Sequence, residues 1–319
     1  MKYMPAFFKV PVLFGLLLAL STPVLAAEFV NVLTGGTSGV YYPLGVALAN
    51  DICHARPEAR CTVQATKASV ENLNLLQTGR GEVAFTLGDS LSSAWAGDEE
   101  AGFKVPLKKL RGISALYPNY IHIVVRADAG VKTLADLKGK RISVGAPKSG
   151  TELNARAILK AAGLSYSDFS KVEYLSYAES VELMKNRQID VTLLSSGAGV
   201  SALRDLATSM DVVFLPIPDT TIAKIGDKAY VPGVIPANTY DGQTTDVHTA
   251  TVVNFLVSST NVSDDLAYCI TKSLYTNLDG MVAAHSAAKG IKLENAIKNM
   301  PVPLHPGAMK YYREVGLLK

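Results

Sequence analysis

The chain has 319 residues, with 31 Lys and Arg against 28 Asp and Glu and a formal net charge of +3 at pH 7. This near-neutral balance argues against nucleic acid and acidic membrane surfaces as partners, because both attract strongly basic proteins. A chain of this length can form two domains of ordinary size, each with its own hydrophobic core.

The N-terminus has the three-part order of a secretory signal peptide. Lys2 and Lys9 supply positive charge, an apolar run covers Val10 to Leu20, and small residues lead up to Ala26. We therefore predict a signal peptide over residues 1–26 and export of the rest of the chain. A transmembrane anchor is disfavoured, because the apolar run has about half of the roughly 20 residues that a span requires.

Strand-like and helix-like segments alternate through the next part of the chain. The predicted strands cover residues 29–33, 61–66, 83–87, 113–116 and 121–126, and the predicted helices cover 40–55 and 69–79. Asp89 is in position to cap a further short helix, and Ser69 to cap the helix that it begins.

The alternation resumes at Thr133, which opens a short helix with Asp136 three residues later in an acidic capping box. Further strands are predicted at 141–145, 172–175, 190–194 and 212–215, with helices at 151–162, around 181–184 and at 200–207. Such alternation predicts an α/β fold with a mostly parallel sheet and helices on both faces.

Residues 216–242 break this pattern, because they contain Pro216, Pro218, Pro232, Gly233 and Pro236 and lack a helical period. We interpret them as irregular chain that returns from a second domain to the first. A strand over residues 249–257 and helices follow, the first of them capped by Ser263.

Three cysteines lie in the exported part of the chain. Cys53 and Cys61 are eight residues apart, and in an oxidising compartment we expect a disulfide between them. The alternative is two separately buried thiols. Cys269 and the apolar residues around it follow a helical spacing, so we expect Cys269 to pack in the core.

Two similar loops, one in each candidate domain, are the most informative feature. Thr34–Gly39 joins a strand to a helix, and Pro147–Gly150 does the same in the second domain. Glycine lets the backbone approach a ligand, Ser and Thr add hydroxyl donors, and the free N–H groups of a helix start favour an anion. In open α/β sheets such loops lie where ligands bind. A cleft between two domains would bring the two loops together.

Motifs for catalysis, cofactors and metals are missing from the sequence. It lacks the dinucleotide, P-loop and nucleophile-elbow patterns. His122 lies in a strand-like run and is expected to be packed. The five histidines lack metal-ligand spacing: His54, His122, His248, His285 and His305. We therefore expect a binding protein with no enzyme activity, no cofactor and no metal.

The first loop and its extension to Gly45 resemble the opening signature of the TAXI family, the solute receptors of TRAP (tripartite ATP-independent periplasmic) transporters. Further similar segments follow in the family's order: Ser69–Leu73 with Asp89, Leu116–Pro118 with His122, Leu137–Arg141, Ser149–Thr151, Asp246 and Val247 with Thr249, and His305–Ala308. Each segment is short, but the ordered set covers essentially the whole chain after the leader.

The resemblance implies a type II periplasmic-binding-protein fold, with two βα domains joined by a hinge around a ligand cleft. Domain I would comprise residues 27–120 and 235–319, and domain II residues 121–234. The protein would act in the periplasm as a monomer that binds a small anionic ligand, such as glutamate or a 2-oxoglutarate-like compound, and docks on TRAP membrane subunits. The implied ligand contacts are Gly36, Thr37, Gly39, Val40, Tyr41, Ser69, Asn72, Asp89, Ser149, Gly150 and Thr151.

Several of these residues also have structural interpretations. Ser69 and Asp89 can serve as helix caps, Asn72 can anchor a turn, and Tyr41 can pack in the core. The chain departs from the family pattern at Lys67-Ala68, at Leu87-Gly88 and at Lys148. The two lysines would either add positive charge to the site or point into water. Two other functions remain open, a sensor subunit that presents its ligand to a membrane kinase and a receptor of an ATP-driven importer.

Overall fold

The structure, a computed structural model, describes Met1, Tyr3 and residues 28–319. Apart from Met1 and Tyr3, the predicted signal peptide over residues 1–26 lies outside the described residues. Among those described, no helix combines the length and apolar character needed to cross a membrane.

Ten strands form the sheet: β1 (Phe29–Leu33), β2 (Arg60–Gln64), β3 (Val83–Leu87), β4 (Leu110–Arg126), β5 (Arg141–Ser143), β6 (Lys171–Glu173), β7 (Val191–Ser196), β8 (Val212–Leu215), β9 (Val231–Ile235) and β10 (Val247–Ser259). The α-helices are α1 (Tyr41–Ala55), α2 (Ser69–Gln77), α3 (Gly88–Ala96), α4 (Gly150–Ala161), α5 (Tyr177–Lys185), α6 (Ser201–Ser209), α7 (Asp219–Ile225), α8 (Asp264–Thr276), α9 (Leu278–Ala284) and α10 (Pro306–Glu314). Short 3₁₀ helices cover Ala127–Ala129, Leu134–Leu137, Tyr166–Asp168, Ser286–Gly290 and Leu293–Asn295.

The strand order is β2-β1-β3-β10-β4-β7-β5-β6, with β8 paired to β4 and β9 paired to β10. Parallel pairs connect β1 with β2 and β3, and β5 with β6 and β7. The sheet therefore has two parallel halves. We call β1–β3 with α1–α3 and α8–α10 the first lobe, and β5–β9 with α4–α7 the second lobe. The α/β fold with two lobes agrees with the sequence-based prediction.

The expectation of a mostly parallel sheet is wrong in the middle of the molecule. There β10 is antiparallel to β3, β4 and β9, and β4 is antiparallel to β7 and β8. The physical reason is topological, because a strand that leads into the second lobe and a strand that returns must run in opposite directions. The two long strands, β4 and β10, therefore each run through both lobes.

The strand-like segments at 113–116 and 121–126 are parts of one strand, β4, rather than two strands. Pro118 and Asn119 lie between the two segments. At Pro118 the strand pairs only with β10, and pairing with β7 begins at Tyr120. A missing N–H is tolerated there, as it is on an edge strand.

Residues 216–242 are also more regular than expected, because they contain α7 and β9. Pro218 occupies the position just before α7, where an extended backbone is required. Pro232 lies in β9, which pairs on one side only, with β10. The prolines thus mark a helix start and an edge strand, two places that accept them.

Cys53 and Cys61 form a disulfide that ties the last turn of α1 to β2. Cys269 is a half-buried free thiol on α8. His122 is buried as expected, and its Nε2 lies 2.9 Å from the Tyr240 hydroxyl. Burial lowers the pKa of His122 to about 4, so the ring is neutral at pH 7.

Candidate functional site

A cavity of about 110 Å³ lies in the cleft between the two lobes. Eight of the residues expected to contact a ligand line it: Gly36, Gly39, Val40, Tyr41, Ser69, Ser149, Gly150 and Thr151. The two glycine loops, which are more than a hundred residues apart in the chain, therefore face the same space. Its size suits a small molecule rather than a polymer.

The first loop turns tightly before α1, with the Gly39 N–H donating to the Gly36 carbonyl over 3.0 Å. No side chain caps the start of α1, and Val40 and Tyr41 at that start line the cavity. The loop also touches the second lobe, because the Ser201 hydroxyl donates to the Ser38 carbonyl over 2.9 Å. This contact holds the two lobes together at the rim of the cleft.

The second loop ends in a capped helix. Ser149 Oγ accepts a hydrogen bond of 3.1 Å from the Glu152 N–H at the start of α4. The next residue, Gly150, packs directly against Ser69 of the first lobe. The Thr151 hydroxyl lies 2.8 Å from the Tyr177 hydroxyl, which belongs to the first turn of α5.

Ser69 does not cap α2, because it is the first residue within that helix. Its Oγ instead accepts a hydrogen bond of 3.1 Å from the Leu87 N–H at the end of β3. Ser69 thereby connects the start of α2 to the strand beside the cavity. Its buried hydroxyl remains in the cavity wall.

Asn72 and Thr37 do not line the cavity. Asn72 is fully buried, and its amide donates to the carbonyls of Thr34 and Phe85 over 2.7 and 2.9 Å. It also accepts from the Thr66 hydroxyl at 2.6 Å. These contacts make Asn72 an anchor that holds the first loop against β3. Thr37 lies at the exposed tip of that loop.

Asp89 also lies outside the cavity lining, and it connects the lobes instead. Its carboxylate accepts hydrogen bonds from the Asn154 amide at 2.6 Å and the Tyr230 hydroxyl at 2.7 Å, both in the second lobe. It accepts a third from the Ser90 N–H. Asp89 is not the helix cap, because it is the second residue of α3 and Leu87 occupies the N-cap position. Asp89 is 6% exposed, and burial raises its pKa to about 6.

Two tyrosines contribute aromatic walls with fixed hydroxyls. Tyr41 stacks on Phe85 with a centroid separation of 5.2 Å and donates to Asn254 Oδ1 over 2.5 Å. Tyr177 donates to the Ser195 carbonyl over 2.6 Å. Burial raises the pKa of Tyr41 well above its usual value and that of Tyr177 to about 12, so both hydroxyls remain neutral.

A chain of hydrogen bonds crosses the cleft floor from β4 to α4. The Asn119 amide donates to Ser195 Oγ over 2.7 Å, and the Ser195 hydroxyl donates to Asn154 Oδ1 over 2.5 Å. Because all three side chains are buried, this pairing satisfies polar groups that would otherwise destabilise the lobe interface. Asn119 and Ser195 themselves line the cavity.

The two lysines singled out in the sequence have different positions. Lys67 lines the cavity. Lys148 lines a separate shallow groove with Arg156 and Tyr166, and only its backbone carbonyl reaches the first lobe, accepting from the Glu71 N–H at 3.2 Å. Of the two lysines, only Lys67, an exposed residue, lines the cavity.

Several lining residues were missed by sequence reasoning: Gly35, Thr66, Ala68, Leu87, Asn119, Ala146, Ser176, Tyr177, Ser195 and Ser196. Ser176 carries a detectable signal, because it forms a capping box with Glu179 directly after a strand-like run. A polar residue within an apolar strand, such as Asn119 or Ser195, is a weaker signal. Nothing local singles out Leu87.

The described part of the chain contains no group of three or more His, Cys, Asp or Glu side chains that could hold a metal ion. What the cavity offers is hydrogen-bond donors, one lysine and two tyrosine rings. That set can hold and orient a small polar molecule.

Solved structures with the same fold come from several bacteria. A protein of Bordetella bronchiseptica RB50 matches with a TM-score of 0.54 at 17% identity, over 92% of this chain and 90% of that chain. The periplasmic aliphatic sulphonate binding protein SsuA from Escherichia coli matches with a TM-score of 0.50 at 17% identity, over 90% and 84%. A structure concerning glutathione import via GshT and the cystine ABC importer TcyBC of Streptococcus mutans matches with a TM-score of 0.50 at 13% identity, over 83% and 96%.

At these identities the likeness establishes the fold, a two-lobed α/β fold of the kind found in periplasmic binding proteins. A family model matches residues 32–316, a range that begins in β1 and ends just after α10. Both glycine loops and the cavity between them fall within it. The chain belongs to the NMT1-like family.

Proposed function

We propose that the protein is a periplasmic solute-binding receptor, which captures a small carboxylate-bearing metabolite and delivers it to a TRAP transporter membrane complex. The observation that carries this proposal is the cavity between the lobes, to which both glycine loops contribute. A ligand that contacts both loops would stabilise the closed arrangement of the lobes, and an empty receptor would open.

The preference for an anion rests on the helix starts. Residues in the first turns of α1, α2, α4 and α5 line the cavity, so the positive ends of four helices lie at its wall. Lys67 adds the charge of an ammonium group. A glutamate-like or 2-oxoglutarate-like compound would present its carboxylates to these groups.

The choice of a TRAP partner rests on the resemblance of the loops to the TAXI signature. By the same resemblance we assign residues 27–120 and 235–319 to domain I and residues 121–234 to domain II. The leader over residues 1–26 would direct export, and the exported protein would act as a monomer without enzymatic turnover. A sensor subunit or a receptor for an ATP-driven importer would have the same cleft, and neighbouring genes for transporter subunits would separate these functions.

Mass spectrometry of the molecule that co-purifies with the exported protein tests the proposal. A thermal-shift screen of dicarboxylates, 2-oxo acids and amino acids then checks its affinity, because a ligand of the folded state raises the melting temperature by mass action. We expect a carboxylate to appear in both measurements. Stabilisation by none of these compounds would contradict the carboxylate proposal.

A matched pair of variants tests the charge of the site. Lys67→Gln should weaken carboxylate binding about fivefold to tenfold, since it removes a partly screened cation near the ligand. Lys148→Gln should leave the affinity unchanged, because that side chain lies in another groove. Equal effects of the two substitutions would show that Lys67 acts only through the net charge of the protein.

A further inference from the structure

We infer that the ligand of this cleft is an anion that carries no ammonium group, so that a 2-oxo acid or dicarboxylate binds and the corresponding amino acid does not. This inference rests on the proposed receptor function. It concerns a choice that the family resemblance leaves open, between glutamate and its 2-oxo analogue.

The first observation is the charge of the cavity wall. Among the described residues that line it, Lys67 is the single charged side chain, and neither Asp nor Glu is present. An α-ammonium group inside the cleft would therefore have only neutral oxygen atoms as partners. Removing an ammonium ion from water without a carboxylate partner is strongly unfavourable.

The second observation is that the acidic side chains beside the cavity have other partners. Glu71 in the first turn of α2 accepts from the Lys67 N–H at 2.6 Å. Glu152 in the first turn of α4 pairs with Arg156 at 2.7 Å and accepts from the Tyr166 hydroxyl at 2.9 Å. Neither carboxylate lines the cavity, and the charge of Glu152 is compensated by Arg156.

The other two acidic side chains beside the cavity, Glu179 and Asp89, are also hydrogen-bonded to neighbouring protein groups. Glu179 in the first turn of α5 accepts from both the N–H and the hydroxyl of Ser176. Asp89 accepts from Asn154, Tyr230 and Ser90. The first turn of α1 contains no acidic residue. None of these four carboxylates lines the cavity, so an ammonium group bound there has no carboxylate partner in the cavity wall.

The third observation is the direction of the helix dipoles. The four helix starts that stabilise a carboxylate raise the energy of a positive charge at the same place. An amino acid would have to place its ammonium group beside its α-carboxylate, within the reach of these dipoles. A 2-oxo group at that position is neutral and accepts hydrogen bonds from N–H and hydroxyl donors.

Isothermal titration calorimetry on matched pairs tests the inference: 2-oxoglutarate with L-glutamate, 2-oxoisovalerate with L-valine, and pyruvate with L-alanine. The members of each pair share a carbon skeleton and differ at the second carbon. For any pair in which binding is measurable, we expect the 2-oxo acid to bind at least tenfold more tightly. An amino acid that binds as tightly as its partner, or more tightly, would overturn the inference and leave the receptor function intact.

The experiment also separates the two proposals. Succinate and the compound identified by mass spectrometry are titrated alongside the pairs. If no carboxylate binds and the co-purified compound is not an anion, both the carboxylate proposal and this inference fail. If the co-purified compound is a carboxylate that carries an ammonium group, only this inference fails.

Discussion

Gly150 and Ser69 touch across the cleft, and a Cβ atom on Gly150 would lie 2.6 Å from Ser69 Oγ. It would also lie 2.7 Å from Leu87 Cδ1. Both distances are shorter than real Cβ contacts, and Ser69 and Leu87 are held by their own hydrogen bond. The start of α4 can approach the first lobe this closely only because residue 150 has no side chain.

Gly150→Ala should therefore prevent full closure of the cleft. We expect ligand affinity to fall tenfold or more, because the lobes must separate to accommodate the methyl group. The unliganded variant should unfold at the wild-type denaturant concentration, since opening of the cleft relieves the clash. Calorimetry gives the affinity, and small-angle X-ray scattering reports whether the liganded variant stays open. Wild-type affinity would mean that closure does not require this contact.

Asn72→Ala should lower the free energy of unfolding by about 2 kcal/mol, since it removes the amide that donates to the buried carbonyls of Thr34 and Phe85, while the Thr66 hydroxyl can still donate to the Thr34 carbonyl. Asn74→Ala on the same helix is the matched control. Its amide makes one contact, to the Val70 carbonyl, so the expected loss is below about 1 kcal/mol. Urea unfolding of both variants measures the difference. Reduced affinity with unchanged stability would instead make Asn72 a direct ligand contact.

Ala68 adopts a backbone conformation that glycine accepts best, with φ 69° and ψ −149°. Ala68→Gly should therefore raise the free energy of unfolding by about 1 kcal/mol. Relief of backbone strain stabilises the folded state, and the greater chain entropy of glycine in the unfolded state offsets part of that gain. Ala157→Gly, inside α4, is the control and should lower it by about 1 kcal/mol. Destabilisation by both substitutions would show that the Ala68 conformation costs nothing.

The local features of the site could be predicted from sequence, and the long-range ones could not. Gly and Ser between an apolar strand and a helix are adjacent in the chain, so both loops were recognisable. The partners of Tyr41 and Asn119 were not, because Asn254 and Ser195 lie 213 and 76 residues away from them. Asp89 shows the same limit, since pairing with the second lobe depends on how the lobes meet.

Asp89 should make stability depend on pH between about 4 and 6. Its folded pKa of about 6 lies above the value near 4 of an unfolded chain, because the carboxyl group is buried. In that interval the folded protein keeps a proton that the unfolded chain has released. The stabilising contribution is therefore complete below about pH 4 and is lost as pH rises through 6, by up to about 3 kcal/mol.

Urea unfolding of the wild type and Asp89→Asn at intervals from pH 4 to pH 7.5 measures this contribution. Other titrating groups cancel in the difference between the two proteins, because the substitution leaves them in place. We expect the advantage of the wild type over the variant to shrink as pH rises from 4 through 6 and to level off above about pH 7. A difference that grows over this range would mean that the hydrogen bonds from Asn154, Tyr230 and Ser90 outweigh burial and keep Asp89 ionised in the folded protein.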